Sequence, residues 1–131
     1  MKKRLMVVDD SRVMEYQICK MLEGTDFEVA AYCENGEEAI TRYEEVKPDI
    51  VTMDIIMPGI DGLEAAQVIA EAHPEARIIM VSSLAYEDTI NEAESIGAKL
   101  FLYKPIDREN LLDAVEKVMG EDGCQESCAE R

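Results

Sequence analysis

The sequence predicts an α/β fold: a doubly wound, five-stranded parallel sheet with helices on both faces. Short apolar runs alternate five times with stretches in which apolar residues recur at helical spacing. Each run is apolar on both sides, which is typical of strands buried between two helix layers. Because parallel strands are joined by right-handed crossovers, five strand-and-helix units place helices on both faces of one sheet.

The five predicted strands are short and mostly apolar. They cover residues 5–8, 27–33, 50–53, 78–81 and 100–103. The second run carries Cys33 within its apolar pattern, which predicts a core thiol. No repeat, low-complexity tract or internal linker interrupts the alternation.

The predicted helices follow the strands and carry one-sided apolar stripes suited to packing on a sheet. The first stripe includes Val13 and Ile18, and Cys19 lies in the same apolar pattern, so we expect a second core thiol there. Asp61 and Glu64 have capping-box spacing, and Asp107 precedes the last helix as a predicted N-cap. Three glycines are predicted to lie at helix ends: Gly24, Gly97 and Gly120.

Length and composition predict a single domain over residues 1–120. The chain has 131 residues, of which 47% are apolar, enough for one core of ordinary size. From residue 121 onward the apolar periodicity stops, which predicts a mobile tail over 121–131. Cys124 and Cys128 lie in this tail, and we interpret them as exposed thiols because a zinc half-site there has no partners.

Charge and targeting signals restrict the partners and the compartment. The net charge of -16 repels nucleic acid phosphates and anionic lipid, so we expect neither nucleic acid nor membrane as a partner. The apolar run after the basic residues 2–4 is too short for a signal peptide or a membrane span. Four cysteines suit a reduced environment, so we expect a cytoplasmic protein.

Polar residues stand where four of the five strands end. The first strand runs into Asp9 and Asp10, the third into Asp54, the fourth into Ser82 and the fifth into Lys104. The second strand ends in nothing comparable. Because ligand sites in open parallel sheets lie beyond the carboxyl ends of the strands, we expect these side chains to form one site.

The residue types at this edge favour phosphoryl chemistry. Carboxylates held close together repel one another unless a cation offsets them. Oxygen ligands without nearby His or Cys suit Mg2+, which shares its shell with phosphate oxygens. Lys104 adds a positive charge and Ser82 a hydroxyl donor. The set predicts a magnesium site that stabilises a transferring phosphoryl group, with a carboxylate able to act as nucleophile; spacing leaves open which aspartate attacks.

Four motifs in order carry a family resemblance: VVDDS at 7–11, KPDIVTMDIIMPGIDG at 47–62, VSS at 81–83 and KPI at 104–106. Through them the chain resembles the receiver domain of bacterial two-component response regulators over residues 4–119. The resemblance implies a (βα)5 flavodoxin-like fold with strand order 2-1-3-4-5. It also implies a cis peptide bond between Lys104 and Pro105.

The resemblance further implies a role for each site residue. Asp54 would accept a phosphoryl group from a sensor histidine kinase, in a self-catalysed step that turns over no small substrate. Asp10, Asp54 and the backbone carbonyl of Ile56 would bind Mg2+ directly, and Asp9 largely through water. Lys104 would contact the phosphoryl oxygens. Ser82 and Phe101 would then move as the switch, whereas we interpret Tyr103 as core packing.

The motifs look most similar to stand-alone chemotaxis-type regulators, which act as monomers on a downstream protein such as the flagellar motor switch. A phosphorelay intermediate that passes the phosphoryl group to a histidine phosphotransfer protein remains open. In the family that the chain resembles, the positions of Ile56 and Leu84 tune water access, so the resemblance together with these apolar residues implies slow self-dephosphorylation. An aspartyl phosphohydrolase would need Asp-x-Asp after the first strand, and a flavodoxin-like binding protein would need a glycine-containing phosphate loop there; residues 9–14 offer neither.

Overall fold

The structure is a computed structural model that describes residues 2–83 and 87–123. Strands and helices alternate along the described chain. The strands are β1 (Lys3–Val8), β2 (Phe27–Cys33), β3 (Ile50–Asp54), β4 (Ile78–Ser82) and β5 (Leu100–Tyr103). The helices are α1 (Arg12–Met21), α2 (Gly36–Val46), α3 (Gly62–Ala72), α4 (Glu87–Ser95) and α5 (Arg108–Gly123).

The five strands form one parallel sheet in the order β2-β1-β3-β4-β5. This confirms the predicted doubly wound fold and the strand order that the family resemblance implies. Chain order reverses at β1, which lies between β2 and β3. The carboxyl ends of β1 and β3 are therefore neighbours, with Val8 paired to Met53.

Two apolar layers cover the sheet, one on each face. Successive side chains of β1 alternate between them: Met6 and Val8 join the layer under α2, α3 and α4, whereas Leu5 and Val7 join the layer under α1 and α5. Nearly every residue of β1, β3 and β4 is buried, as the continuous apolar runs predicted.

Helix starts follow the predicted caps. The carboxylate of Asp61 accepts a hydrogen bond from the Glu64 N–H at 2.9 Å, and that of Asp107 accepts one from the Asn110 N–H at 2.7 Å. Gly62, the first residue of α3, lies so close to the end of β3 that an added Cβ would stand 1.9 Å from the Asp54 carbonyl oxygen. The start of α3 therefore packs directly on the backbone of Asp54.

Helix ends and some surface positions differ from the predictions. Gly24 and Gly97 have the expected positive φ angles of 79° and 105° at helix ends. Gly120 does not end its helix, because α5 continues to Gly123. Residues 124–131, with Cys124 and Cys128, lie outside the described residues.

Two predicted core positions on α1 are wrong. Cys19 is exposed, and Val13 is 63% exposed, whereas Cys33 is buried as predicted. Only one narrow stripe of α1 reaches the sheet, centred on Ile18. An apolar residue next to that stripe is therefore exposed even though its sequence context is apolar. Among the described residues, no helix has the length and apolarity needed to cross a bilayer.

Candidate functional site

Three aspartates meet at the carboxyl edge of the sheet. Asp9 and Asp10 follow β1 directly, and Asp54 is the last residue of the neighbouring β3. Each can place a carboxylate oxygen within 4.8 Å of the others. Asp9 and Asp54 are buried at 2% and 6% exposure, whereas Asp10 is exposed. The acid cluster expected from the strand ends is therefore present, with its open side at Asp10.

Asp54 ionises with difficulty in this position. Burial raises its pKa to about 6, and the negative charge of Asp9 adds to the rise. Lys104 acts in the opposite direction but offsets only part of it. Additional positive charge near the cluster would therefore favour the ionised form of Asp54.

Lys104 is the cation of the site. Its Nζ donates to the Asp9 carboxylate at 2.9 Å and lies 3.5 Å from the Asp54 carboxylate. Burial opposes the charged form, but the bonds to the two carboxylates outweigh it, so the pKa of Lys104 is raised. The Lys104–Pro105 peptide bond is cis, as the family resemblance implies.

Ser82 ends β4 at the same edge and is 1% exposed. Its carbonyl accepts the Lys104 N–H at 2.9 Å, and its strand partner in β5 is Tyr103. Asp54 pairs with Val81, the residue before Ser82, in the adjoining ladder. Ser82 therefore stands at the end of the strand that lies between β3, which carries Asp54, and β5.

The two aromatic residues of β5 lie side by side. Phe101 is partly buried against the layer under α4, and its ring centroid is 5.4 Å from that of Tyr103 at a tilt of 49°. Tyr103 is 52% exposed, so the interpretation of Tyr103 as core packing is wrong. It is the last residue of β5, an edge strand of the sheet.

Two predicted positions flank the acids. Ile56 is 56% exposed and lies two residues after Asp54, in the segment between β3 and α3. Leu84 lies outside the described residues. The role given to the Ile56 carbonyl stays a prediction.

Sequence reasoning missed the contacts that hold Asp9 in place. The Tyr32 hydroxyl donates to the Asp9 carbonyl at 2.8 Å, and the Ser11 N–H donates to the Asp9 carboxylate at 2.9 Å. The guanidinium of Arg12 lies 4.8 Å from the centroid of the Tyr32 ring. Tyr32 is next to the last residue of β2, the strand whose end offered no acid or base, and nothing in its sequence context marked it.

The donor set fits a hard divalent cation. Among the described residues the cluster consists of carboxylates alone, which provide the oxygen ligands that Mg2+ prefers, and the exposed Asp10 leaves room for water and phosphate oxygens. A bound cation would also favour the ionised form of Asp54, whose pKa is raised by burial and by the charge of Asp9. The acid cluster can therefore bind a metal ion. One of its carboxylates, that of Asp54, also lies 3.5 Å from the Lys104 ammonium.

Comparison with known proteins identifies the family of the chain. Residues 5–116 match the response regulator receiver domain family. The chain belongs to that family. It is 45% identical over 114 residues to the chemotaxis protein CheY of Listeria monocytogenes, covering 87% of this chain and 96% of the relative. It is 40% identical to CheY of Bacillus subtilis over 119 residues, or 91% and 99% of the two chains.

Solved structures of receiver domains share the fold. A chain in the complex of CheX, CheY, BeF3 and Mg2+ from Borrelia burgdorferi superposes with a TM-score of 0.86 at 34% identity, over 89% of each chain. The response regulator domain of Thermotoga maritima CheB gives a TM-score of 0.80 at 35% identity, over 91% and 95%. The chain is thus a receiver domain similar to the CheY-type regulators.

Proposed function

We propose that this receiver domain is a phosphorylation switch of a two-component system, in which Asp54 accepts a phosphoryl group from a histidine kinase. The observation that carries the proposal is the meeting of Asp9, Asp10 and Asp54 within 4.8 Å, with the Lys104 ammonium 3.5 Å from Asp54. Such a set stabilises a transferring phosphoryl group through charge and position.

In the proposed reaction a carboxylate oxygen of Asp54 attacks phosphorus. A P–O bond forms and the P–N bond of the kinase phosphohistidine breaks, with the electron pair remaining on the imidazole nitrogen. Lys104, already held by Asp9, meets the charge on the phosphoryl oxygens. Asp10, Asp54, Asp9 and the Ile56 carbonyl would hold Mg2+, which supplies further positive charge at these oxygens. The chain turns over no separate substrate, so we do not class it as an enzyme.

The output is a change in binding to another protein. A phosphoryl group adds about 1.5 to 2 negative charges at the sheet edge. We propose that Ser82 and Phe101 respond and that the surface of α4 and β5 passes the change to a partner. Similarity to CheY proteins, which the chain matches over nearly their whole length, supports a role in chemotaxis or motility, with the flagellar motor switch as a candidate target.

Intact-mass measurement tests the proposal. The purified chain is incubated with acetyl phosphate, with and without Mg2+, beside the variants Asp54→Asn and Asp49→Asn. Asp49 precedes β3 at the opposite end of the strand and serves as a matched control. We expect one added phosphoryl group, dependent on Mg2+, on wild type and Asp49→Asn only. Absence of labelling on wild type, or equal labelling of Asp54→Asn, would refute the proposal.

A phosphorelay intermediate is the alternative, and transfer separates the two roles. The phosphorylated chain is mixed with histidine phosphotransfer proteins of the same organism. An intermediate gives up its label within seconds, whereas a chemotaxis-type switch keeps it. Binding of the beryllofluoride and Mg2+ form to purified flagellar switch protein, and not of the untreated form, would favour the motility role.

The lifetime of the phosphoryl group gives a further check. Ile56 is an exposed apolar residue two positions after Asp54, where the residue tunes water access in this family, so we expect slow self-dephosphorylation. A half-life of minutes or longer is expected in the purified protein, and Ile56→Asn should shorten it. A wild-type half-life of seconds contradicts this prediction.

A further inference from the structure

Tyr32 fastens the peptide unit that joins Asp9 to Asp10. Its hydroxyl donates to the Asp9 carbonyl oxygen at 2.8 Å, from a strand neighbouring β1. That oxygen belongs to the Asp9–Asp10 peptide group, whose atoms lie in one plane. A bond to the oxygen therefore sets the plane from which the Asp10 Cα and side chain extend.

The remaining polar groups of Asp9 are also held. Its N–H donates to the Cys33 carbonyl at 3.0 Å, and its carboxylate accepts from the Ser11 N–H and from Lys104 Nζ, each at 2.9 Å. These bonds fix the backbone before the Asp9–Asp10 peptide and the Asp9 side chain. In this set of contacts, the hydrogen bond to the Asp9 carbonyl oxygen, which belongs to the peptide group that joins Asp9 to Asp10, comes from the Tyr32 hydroxyl alone.

The phenol is itself kept in position. Its ring is half-buried against the apolar layer under α1 and α5, and the Arg12 guanidinium covers it at 4.8 Å from the centroid. Arg12 is the first residue of α1 and follows Asp10 by two residues, so the cation that contacts the ring belongs to the same segment as the two acids. A ring fixed on both sides gives a hydroxyl with little freedom to leave the carbonyl.

We propose that Tyr32 is a positioning residue for metal binding: it holds the Asp9–Asp10 peptide so that the exposed Asp10 carboxylate is aimed at the cation before the cation arrives. The inference rests on the proposed magnesium site. Without the hydroxyl, part of the binding free energy must be spent on ordering this peptide. Loss of one hydrogen bond of this kind corresponds to about a threefold to tenfold weaker affinity.

The experiment compares Tyr32→Phe with wild type and with Tyr16→Phe. Tyr16 lies on α1 and is 64% exposed, so its variant is a matched loss of one phenolic hydroxyl. Amide resonances are followed during titration with MgCl2, and urea unfolding is measured for each protein. We expect weaker Mg2+ binding by threefold to tenfold for Tyr32→Phe alone, and a shifted Asp10 amide resonance before Mg2+ is added.

The outcomes separate the inference from the function on which it rests. If wild type shows no Mg2+ binding, the proposed function falls and the inference with it. If wild type binds Mg2+ and Tyr32→Phe binds it with the same affinity, the inference alone is overturned, even if the variant is less stable. Equal weakening in Tyr16→Phe would also overturn it, because the effect would then not depend on the Asp9 carbonyl.

Discussion

The charged groups differ between the amino edge of the sheet, where the parallel strands begin, and the carboxyl edge, where they end. At the amino edge, the Asp49 carboxylate accepts the Arg4 N–H at 2.8 Å, and Arg77 donates to the Asp49 carbonyl at 3.3 Å. At the carboxyl edge, Asp9, Asp10 and Asp54 lie close together, and the Lys104 ammonium is paired with Asp9 and Asp54. At the amino edge the Asp49 carboxylate has a hydrogen-bond donor, whereas at the carboxyl edge three like charges lie close together.

The two arrangements have opposite effects on the stability of the fold. A carboxylate that accepts a hydrogen bond, as Asp49 does, contributes to the stability of the fold, whereas the buried Asp54, with its pKa raised to about 6, lowers that stability at neutral pH. Such an arrangement persists when a ligand supplies the missing charge. Substitutions at the two edges should therefore differ in their effects on stability.

Gly62→Ala should be the most damaging single change. An added Cβ would lie 1.9 Å from the Asp54 carbonyl oxygen, so α3 must move away from the end of β3. We expect a loss of at least about 3 kcal/mol in the free energy of unfolding. Gly24→Ala is the control at the amino edge, because Gly24 has a φ of 79° but no atom within 4 Å of an added Cβ. Its cost should be about 1 kcal/mol, from backbone strain alone. Equal losses in urea unfolding would show that the close packing on Asp54 has no energetic weight.

Lys104→Met should cost about 2 to 3 kcal/mol at pH 7, because it leaves two buried carboxylates without their cation. The Lys104 side chain is 24% exposed, which keeps the loss below that of a fully buried pair. Lys20→Met is the matched control: Lys20 lies 3.6 Å from Glu23 in a pair that is more than half exposed. Its cost should stay below about 0.5 kcal/mol. Added Mg2+ should recover part of the stability of Lys104→Met and none for Lys20→Met; the same response in both variants would contradict the prediction.

Asparagine substitution should have opposite signs at the two edges. Because the pKa of Asp54 is raised to about 6, the folded state loses stability as pH rises from about 4 to about 6 and stays lowered above that. Asp54→Asn removes this loss and should stabilise the protein by about 1 to 2 kcal/mol at pH 7, with the gain fading below pH 6. Asp49→Asn weakens the bond to the Arg4 N–H and should destabilise it by about 1 kcal/mol. Urea unfolding at several pH values decides, and the same sign for both variants would contradict the comparison.

The fold could be predicted from the sequence because its signals are local and repeated. Five apolar runs matched the strands to within a few residues at either end, and the caps at Asp61 and Asp107 were confirmed. The exposure of Cys19, Val13 and Tyr103 could not be predicted in the same way. Exposure depends on how much of a helix or an edge strand its neighbours cover, and apolar periodicity marks a face without giving its width.

Only those site residues that stand at the ends of strands could be predicted from the sequence. Asp9, Asp10, Asp54 and Lys104 stand at strand ends, and the sheet brings them together. Tyr32 acts through a backbone carbonyl on another strand, and a carbonyl carries no residue identity in the sequence. The close approach of Gly62 to Asp54 likewise depends on where α3 settles after folding. Contacts to backbone atoms across strands therefore need the structure.

The smallest expected effect tests whether the amino edge contributes stability alone. His73, at the end of α3, lies 2.6 Å from the Glu44 carboxylate through Nε2 and 4.8 Å from the Tyr43 ring. His73→Ala removes both contacts and should cost about 1 kcal/mol, whereas Glu44→Gln keeps the ring contact and should cost less, because Glu44 is 59% exposed. Phosphorylation by acetyl phosphate should proceed at the wild-type rate in both variants, since neither residue belongs to the carboxyl edge. A slower rate in His73→Ala, measured by intact mass over time, would mean that the two edges are coupled through α3 and β3 and that the division between them is not complete.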